Sequence, residues 1–388
     1  MTGDTDDPRG DPWLLTPGPL TTARETREAM LRDRGSRDEA FLEINTRVCA
    51  SLAALATGDG DGESDYVCVP VQGSGTFALE AALGTLIPAV PAMGKVLVLV
   101  NGAYGARMAK ICTRLGRAVE VLENAEEEPS DVAALAARLE ADSVTTPTIT
   151  HVAAVHCETT SGILNPIEDI ARVVAENNRR LLVDAMSSFG ALPLDMRALP
   201  CEAIMASSNK CLEGVPGLGF VIVGEAVLRA TAGNAHSLCL DLEDQWRAMA
   251  ENGQWRFTPP VHVIAALDTA MAAHTAEGGV RGRGARYAEN HRIMVEGMRG
   301  LGFETLLPDA LQAPIIVTFH TPRDANFHFT AFYDHLRVRG YVIYPGKLTK
   351  ADSFRIGCIG QVGSEQMHGL IGAVEESLKE MNVTQCGP

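Results

Sequence analysis

Two short apolar runs near the middle of the chain each end in a group able to do chemistry. Leu181-Leu182-Val183 runs into Asp184, and Ala203-Ile204-Met205-Ala206 runs into Ser207-Ser208-Asn209-Lys210. Runs of this length, bounded by Pro and Gly, suit buried strands of a parallel sheet. Ligands of such sheets bind beyond the carboxyl ends of the strands, so one carboxylate and one amine are expected at the same edge. An ordinary strand-end ion pair would use the same two residue types, and it would be weak and solvated. The surroundings favour a site. Gly214, Pro216, Gly217 and Gly219 turn the backbone tightly beside Lys210, and the strand before it is too apolar for a surface edge. A lysine amine for an imine and an acid that keeps a pyridine nitrogen protonated are what pyridoxal phosphate requires.

Other polar turns lie at the ends of apolar runs. Gln72-Gly73-Ser74-Gly75-Thr76 opens an apolar helix from Phe77 to Leu86. Free N–H groups and the positive end of the helix dipole make such a turn an anion site. Simple helix capping by Ser74 or Thr76 would use the same residues. Gly73-x-Gly75-x-x-Ala78 also matches a loose dinucleotide fingerprint, but that reading needs an acid at the end of the next strand. The next strand, Val96 to Val100, ends in Asn101, which weakens it. NGAYGARM follows, with Tyr104 between Gly102 and Gly105 on a crevice loop. A flat ring could stack on Tyr104, or the tyrosine could pack beneath its own loop. A strand from His151 to Val155 ends in His156-Cys157-Glu158-Thr159-Thr160-Ser161-Gly162, a third polar strand end. Pro17-Gly18-Pro19 imposes a stiff bend near the start, either a plain entry turn or part of a site.

The elements that must position these groups alternate. A helical pattern from Glu25 to Ala56 is interrupted by RDRGSRDEA, and GDGDGESD follows as an expected surface loop. Strand and helix then alternate from Tyr66 to Val223, which predicts a doubly wound α/β domain. WRFTPP precedes a helix from His262 to Ala276, and EGGVRGRGARYAENH is expected to be a hinge into a long helix ending at Gly300. The last hundred or so residues predict α+β structure. Met1 to Asp11, rich in Asp, Gly and Pro, is expected to be disordered.

Composition limits the function classes. The 388 residues suggest a large domain with a smaller one. A net charge of -16 argues against nucleic acid and anionic membrane as partners. An acidic protein that binds phosphate must then rely on individual Arg residues and helix starts. The nine cysteines are scattered without a C-x-x-C pair, so reduced thiols are expected. The ten histidines form no H-E-x-x-H, so no metal site is expected. MTGDTDDPRGDPW is unlike a secretion signal, and no apolar run approaches the roughly 20 residues of a membrane span. The expected compartment is the cytoplasm.

Taken in order, LLTPGPLTT, QGSGT, NGAYGARM, HCETTSGILNPI, VDAMSSFG, SSNKCLEGVPG, DLEDQWRAM, WRFTPP, VIYPGK and FRIGCIG carry a resemblance. From Leu14 to about Leu378 the chain resembles the class V aminotransferases of pyridoxal phosphate fold type I. Within them it closely resembles those that exchange an amino group between 2-aminoethylphosphonate and pyruvate. The resemblance implies an α/β large domain with a mostly parallel seven-stranded sheet and a smaller C-terminal α+β domain. The implied divisions are an N-terminal arm over 1–24, a large domain over 25–276 and a small domain over 277–388. It implies that Lys210 carries the cofactor, that Asp184 pairs with its pyridine nitrogen, and that Ser74, Gly75, Thr76 and Asn209 lie at its phosphate. Thr258 would reach that phosphate from the partner of a homodimer, Tyr104 would stack on the ring, and Thr160 would lie near the phenolic oxygen. Arg355, with Gly18, would bind substrate. RGSRDEAF departs from the aromatic and acidic patch that family members often carry there. Alanine–glyoxylate or serine–pyruvate exchange shares the same cofactor apparatus and is the alternative, as is transamination of a related aminophosphonate.

Overall fold

The computed structural model describes residues 10–58, 65–142, 148–346 and 349–388. Most of the stretch expected to be disordered, most of GDGDGESD, and Lys347 of VIYPGK lie outside the described residues. The chain enters through β1 (Trp13–Leu14), α1 (Arg24–Glu28) and α2 (Glu39–Thr57), the helical pattern breaking at RDRGSRD as its composition predicts. Then follow β2 (Tyr66–Gly73), α3 (Gly75–Leu86), β3 (Lys95–Val100), α4 (Ala103–Arg114), β4 (Val119–Glu123) and α5 (Val132–Ala141). Next come β5 (Ile149–Val155), the two-strand hairpin β6 (Cys157–Glu158) and β7 (Ile163–Leu164), α6 (Ile167–Glu176), β8 (Arg180–Asp184), β9 (Ala203–Ser207) and β10 (Gly217–Gly224). Four helices follow: α7 (Glu225–Arg229), α8 (Leu242–Asn252), α9 (Val261–Ala276) and α10 (Gly279–Gly300). The chain ends with β11 (Ile316–His320), α11 (Phe329–Val338), β12 (Tyr341–Val342), β13 (Tyr344–Pro345), β14 (Ser353–Gly357) and α12 (Ser364–Met381).

The central sheet has seven strands in the order β2-β10-β9-β8-β5-β3-β4. It is parallel from β9 to β4, and β10 runs antiparallel to both neighbours. The α/β class and the mostly parallel seven-stranded sheet are therefore as expected. Near-continuous apolar strands are what a sheet covered on both faces demands. Leu181 and Val183 face a core built with Phe41, Leu52, Ile170 and Leu267, while Leu182 between them faces one built with Leu79, Leu83 and Met108. A three-stranded antiparallel sheet, β11-β14-β13, packs a phenylalanine-rich core of Phe303, Phe319, Phe332 and Phe354. Pairing of β1 with β12 ties the entering chain to this C-terminal part.

Strand order reverses between β3 and β5, because the chain steps outward to β4 before returning to β5, β8 and β9. Such a switch point opens a crevice beyond the strand ends. The segments leaving β3 and β5 there carry Tyr104 and Glu158-Thr159-Thr160.

Two local readings differ from the structure. Tyr104 belongs to the first turn of α4 rather than to a loop, because the free N–H groups of Tyr104 and Gly105 are satisfied by Glu158, 54 and 53 residues away. The expected hinge after Glu277 is already the helix α10. Its glycines allow close packing: a Cβ on Gly284 would lie 2.4 Å from the Ala191 carbonyl oxygen. DLEDQWRAM forms α8, started by Asp241, whose carboxylate accepts from Asp244 N–H at 3.1 Å.

Glu213, three residues past Lys210, fastens that loop. Its Oε1 accepts from Arg286 Nη2 at 2.8 Å and from the Tyr287 hydroxyl at 2.5 Å, and its Oε2 accepts from Gln361. Arg283 Nη1 lies 3.5 Å away and donates to Cys211 O at 2.6 Å, and Arg286 Nη1 donates to Val362 O at 3.0 Å. The loop is thus bound to α10 and to the segment after β14. Removing one partner of a buried ion cluster leaves the others desolvated and uncompensated. Glu213→Gln is expected to lower unfolding free energy by about 3 kcal/mol in urea titrations, since Glu277 still pairs both arginines.

Candidate functional site

Asp184 ends β8 and Lys210 lies three residues past β9, its parallel neighbour. The Asp184 carboxylate is buried. Its Oδ1 accepts from Met186 N–H at 3.0 Å, and its Oδ2 has no hydrogen-bond partner among the described residues. Burial pushes the group up to about 7, against the pull of the Met186 N–H. Lys210 is half-buried, and burial brings its amine down to about 8, against the pull of Asp184 and neighbouring thiols. Lys210 Nζ donates to the Pro17 carbonyl and lies 3.5 Å from that of Gly18. Gly18 has φ +108°, and a Cβ there would fall 2.6 Å from Lys210 Cδ and 2.8 Å from Nζ. The Pro17-Gly18-Pro19 bend is therefore seated on the lysine, and only glycine allows that approach.

Ser74 precedes α3 in extended conformation, and its side chain makes no capping hydrogen bond. The capping explanation for this residue type falls away, and the N–H groups opening α3 remain available to an anion. A Cβ on Gly75 would lie 2.4 Å from Met186 Sδ, so the glycine keeps the turn against the segment that follows Asp184. Thr76 Oγ1 accepts from Arg107 Nη1 at 3.3 Å, and the same guanidinium stands 4.8 Å from the centroid of the Tyr104 ring. Sequence reasoning missed Arg107. The signal available was its place one helical turn past Tyr104 in a chain whose acidity demands local cations.

From the other side of the switch point comes Glu158, fully buried and also missed. Its Oε2 accepts from Tyr104 N–H at 3.1 Å and Gly105 N–H at 3.2 Å. Its Oε1 accepts from Thr160 N–H at 3.1 Å and from the Thr160 hydroxyl at 2.6 Å. Thr160 Oγ1 in turn accepts from Ala103 N–H at 2.9 Å. Arg355, from the middle of β14, is buried and donates from Nη1 to Thr159 O at 2.8 Å and from Nη2 to Pro345 O at 3.3 Å. Its Nε is buried without a partner among the described residues, and burial lowers its affinity for protons. His156 is buried, hydrogen-bonded to Ser188 Oγ at 3.0 Å, and held neutral by burial, which brings it down to about 4.

The structure thus brings together Asp184, Lys210, Gly18, Thr160, Tyr104 and Arg355. Asn209 adjoins them through its carbonyl oxygen, which would lie 3.0 Å from a Cβ on Gly18. Thr258 stands apart. It is exposed and lines a cavity of about 570 Å³ with Gln72, Gly73, Phe77 and Asp241. Among the described residues no group of three or more His, Cys, Asp or Glu could hold a metal ion. A buried carboxylate oxygen without a donor, an uncapped helix start and an amine of lowered proton affinity fit pyridoxal phosphate. The first could take a pyridinium N–H, the second a phosphate and the third an imine bond.

The raised Asp184 group yields a test in the cofactor-free protein. A carboxyl that binds its proton more tightly when folded lends stability at low pH, and that stability is lost as pH rises from the unfolded value near 4 through about 7. Asp184→Asn is therefore expected to raise unfolding free energy at pH 8, on the order of 1–4 kcal/mol, with little change at pH 4. Thermal unfolding of both proteins at the two pH values checks it.

A family model described as aminotransferase class-V matches residues 61–338. The chain is 53% identical over 372 residues to a 2-aminoethylphosphonate–pyruvate transaminase of Pseudomonas putida, covering 96% of this chain and 98% of that protein. It is 52% identical over 374 residues to the protein of the same name from Pseudomonas aeruginosa, with the same coverage. Among solved structures it is similar to pyridoxamine–pyruvate aminotransferase from Mesorhizobium loti. The TM-score is 0.84 and the identity 26%, covering 96% of this chain and 94% of that one. A model match across most of its length, with relatives more than half identical along nearly all of it, means that this chain belongs to the class V aminotransferases.

Proposed function

We propose that this chain is a pyridoxal phosphate-dependent transaminase that passes the amino group of 2-aminoethylphosphonate to pyruvate, yielding phosphonoacetaldehyde and L-alanine. The observation that carries the chemistry is the buried, unpartnered Oδ2 of Asp184 at the strand end beside the Lys210 loop. The substrate assignment is supported by the two Pseudomonas relatives, whose names state those substrates. When bound, pyridoxal phosphate supplies a protonated ring that draws electrons from the carbon beside the amine.

The chain's own residues have distinct parts in this reading. Asp184 holds the ring nitrogen cationic, a role that turns its costly burial into attraction. Lys210 would act as the general base and acid, its Nζ taking a proton from the substrate carbon beside the amine; a value near 8 keeps part of the amine neutral at physiological pH. Ser74, Gly75, Thr76 and Asn209 would hold the phosphate, with Arg107 adding charge next to Thr76. Tyr104 would hold the ring by stacking. Arg355 presents a planar fork to phosphonate and carboxylate in turn, and Gly18 leaves room for substrate over Lys210. The exposed Thr258 reaches the phosphate of a second copy, so the working form is a homodimer. Nine free thiols fit the cytoplasm. Among the described residues no helix is long and apolar enough to cross a membrane.

Purified protein supplied with pyridoxal phosphate, 2-aminoethylphosphonate and pyruvate is expected to form alanine and phosphonoacetaldehyde in equal amounts. Turnover with serine or glyoxylate and none with 2-aminoethylphosphonate would sink the substrate assignment. Lys210→Ala should abolish product formation. Arg355→Lys should raise KM for both substrates roughly tenfold or more, because an ammonium cannot reproduce two parallel hydrogen bonds. Unchanged saturation curves would remove Arg355 from the anion site.

A further inference from the structure

Glu158 lies outside the roles assigned above, yet four donors converge on it. They come from two segments that flank the switch point: Tyr104 and Gly105 N–H from the start of α4, and Thr160 N–H and Oγ1–H from the turn after β6. Two oxygens facing four donors match an ionised carboxylate, which accepts and does not donate. Gly102 makes space for it, since a Cβ there would fall 2.4 Å from Glu158 Cδ. The Thr160 hydroxyl has one proton, and the short 2.6 Å contact gives it to Glu158. One lone pair takes the Ala103 N–H at 2.9 Å. What the hydroxyl can turn toward the crevice is its remaining lone pair.

We propose that Glu158 is a positioning residue for the cofactor: it fixes Tyr104 at the ring and orients the Thr160 hydroxyl so that Thr160 offers the cofactor an acceptor, not a donor. The proposal rests on the reading that this crevice binds pyridoxal phosphate with Thr160 facing its phenolic oxygen. An acceptor there stabilises the protonated form of the bound cofactor, and so does the negative charge of Glu158. Burial pushes Glu158 itself upward against its four hydrogen bonds. The titratable groups that feel it are Cys157 beside it on β6 and, from neighbouring elements, Asp184 on β8 and Arg355 on β14.

In E158Q the amide has one accepting oxygen. The arrangement that strands fewest donors points the oxygen at Tyr104 and Gly105 and the NH2 at Thr160, which frees the Thr160 proton for the cofactor. The test follows the visible absorption of the purified holoenzyme from pH 5 to 9, together with the dissociation constant for pyridoxal phosphate. E158Q is expected to move the absorption midpoint to lower pH, because the Thr160 proton is then free to turn to the cofactor. T160V provides a second route that does not depend on E158Q folding. Loss of an acceptor moves its midpoint down, whereas loss of a donor would move it up. A downward shift in T160V supports the proposal, and an upward shift overturns it. Weaker binding in E158Q with an unmoved midpoint also overturns it, since a merely structural role would give that result. Wild-type protein that shows no visible band with added pyridoxal phosphate would instead fail the underlying reading, before any variant is compared.

Discussion

The structure depends on a carboxylate placed where water cannot reach both its oxygens. Asp184 is buried at the end of β8, between two apolar cores, with one oxygen held by a single N–H and the other by nothing. Such burial opposes folding unless a cation or proton donor completes the site. The burial of the flanking strands leaves no alternative position for the group. The sheet therefore keeps a standing electrostatic demand at the crevice, and every neighbouring element is arranged around whatever satisfies it.

Lys210 is held by a different means. Its loop carries two fixed ends: the Pro17-Gly18-Pro19 bend accepts hydrogen bonds from its amine, and Glu213 binds the loop to Arg283, Arg286 and Tyr287 of α10. One contact sets the height of the amine, and the other sets the path of the backbone. The role proposed for this amine asks for a mobile tip and a fixed stem, and this division supplies both. The buried ion cluster is weak evidence for stability in itself, but it specifies one arrangement of loop, helix and C-terminal segment.

An acidic chain that handles anions has to concentrate positive potential locally. It does so at three points: the uncapped start of α3, the Arg107 guanidinium between Thr76 and Tyr104, and Arg355. Arg355 is spread over backbone carbonyls from two distant segments, Thr159 and Pro345, and among the described residues no carboxylate pairs with it. A guanidinium satisfied by neutral carbonyls keeps its attraction for an incoming phosphonate or carboxylate. Glu158 balances this side of the crevice by drawing its hydrogen bonds from backbone and hydroxyl groups, so neither charge cancels the other by direct pairing.

Local sequence determined the strands and the chemistry at their ends. An apolar run that stops at Asp184 or before Lys210 carries its meaning in adjacent residues, and burial on both faces of a parallel sheet enforces it. Glycines that permit close approach at Gly18 and Gly75 were legible for the same reason. What only the tertiary structure decided involves partners far apart in the chain. The helical start at Tyr104 requires acceptors from Glu158, and the glycine-rich stretch after Glu277 is helical because Arg283 and Arg286 bind Glu213 and Glu277 while Gly284 packs on Ala191. Arg107 and Glu158 belong to the site through contacts of 31 residues and more in sequence separation. Helix propensity and periodicity report on neighbours within a turn or two. A hydrogen bond across the switch point becomes visible only once the sheet has fixed which strand ends meet.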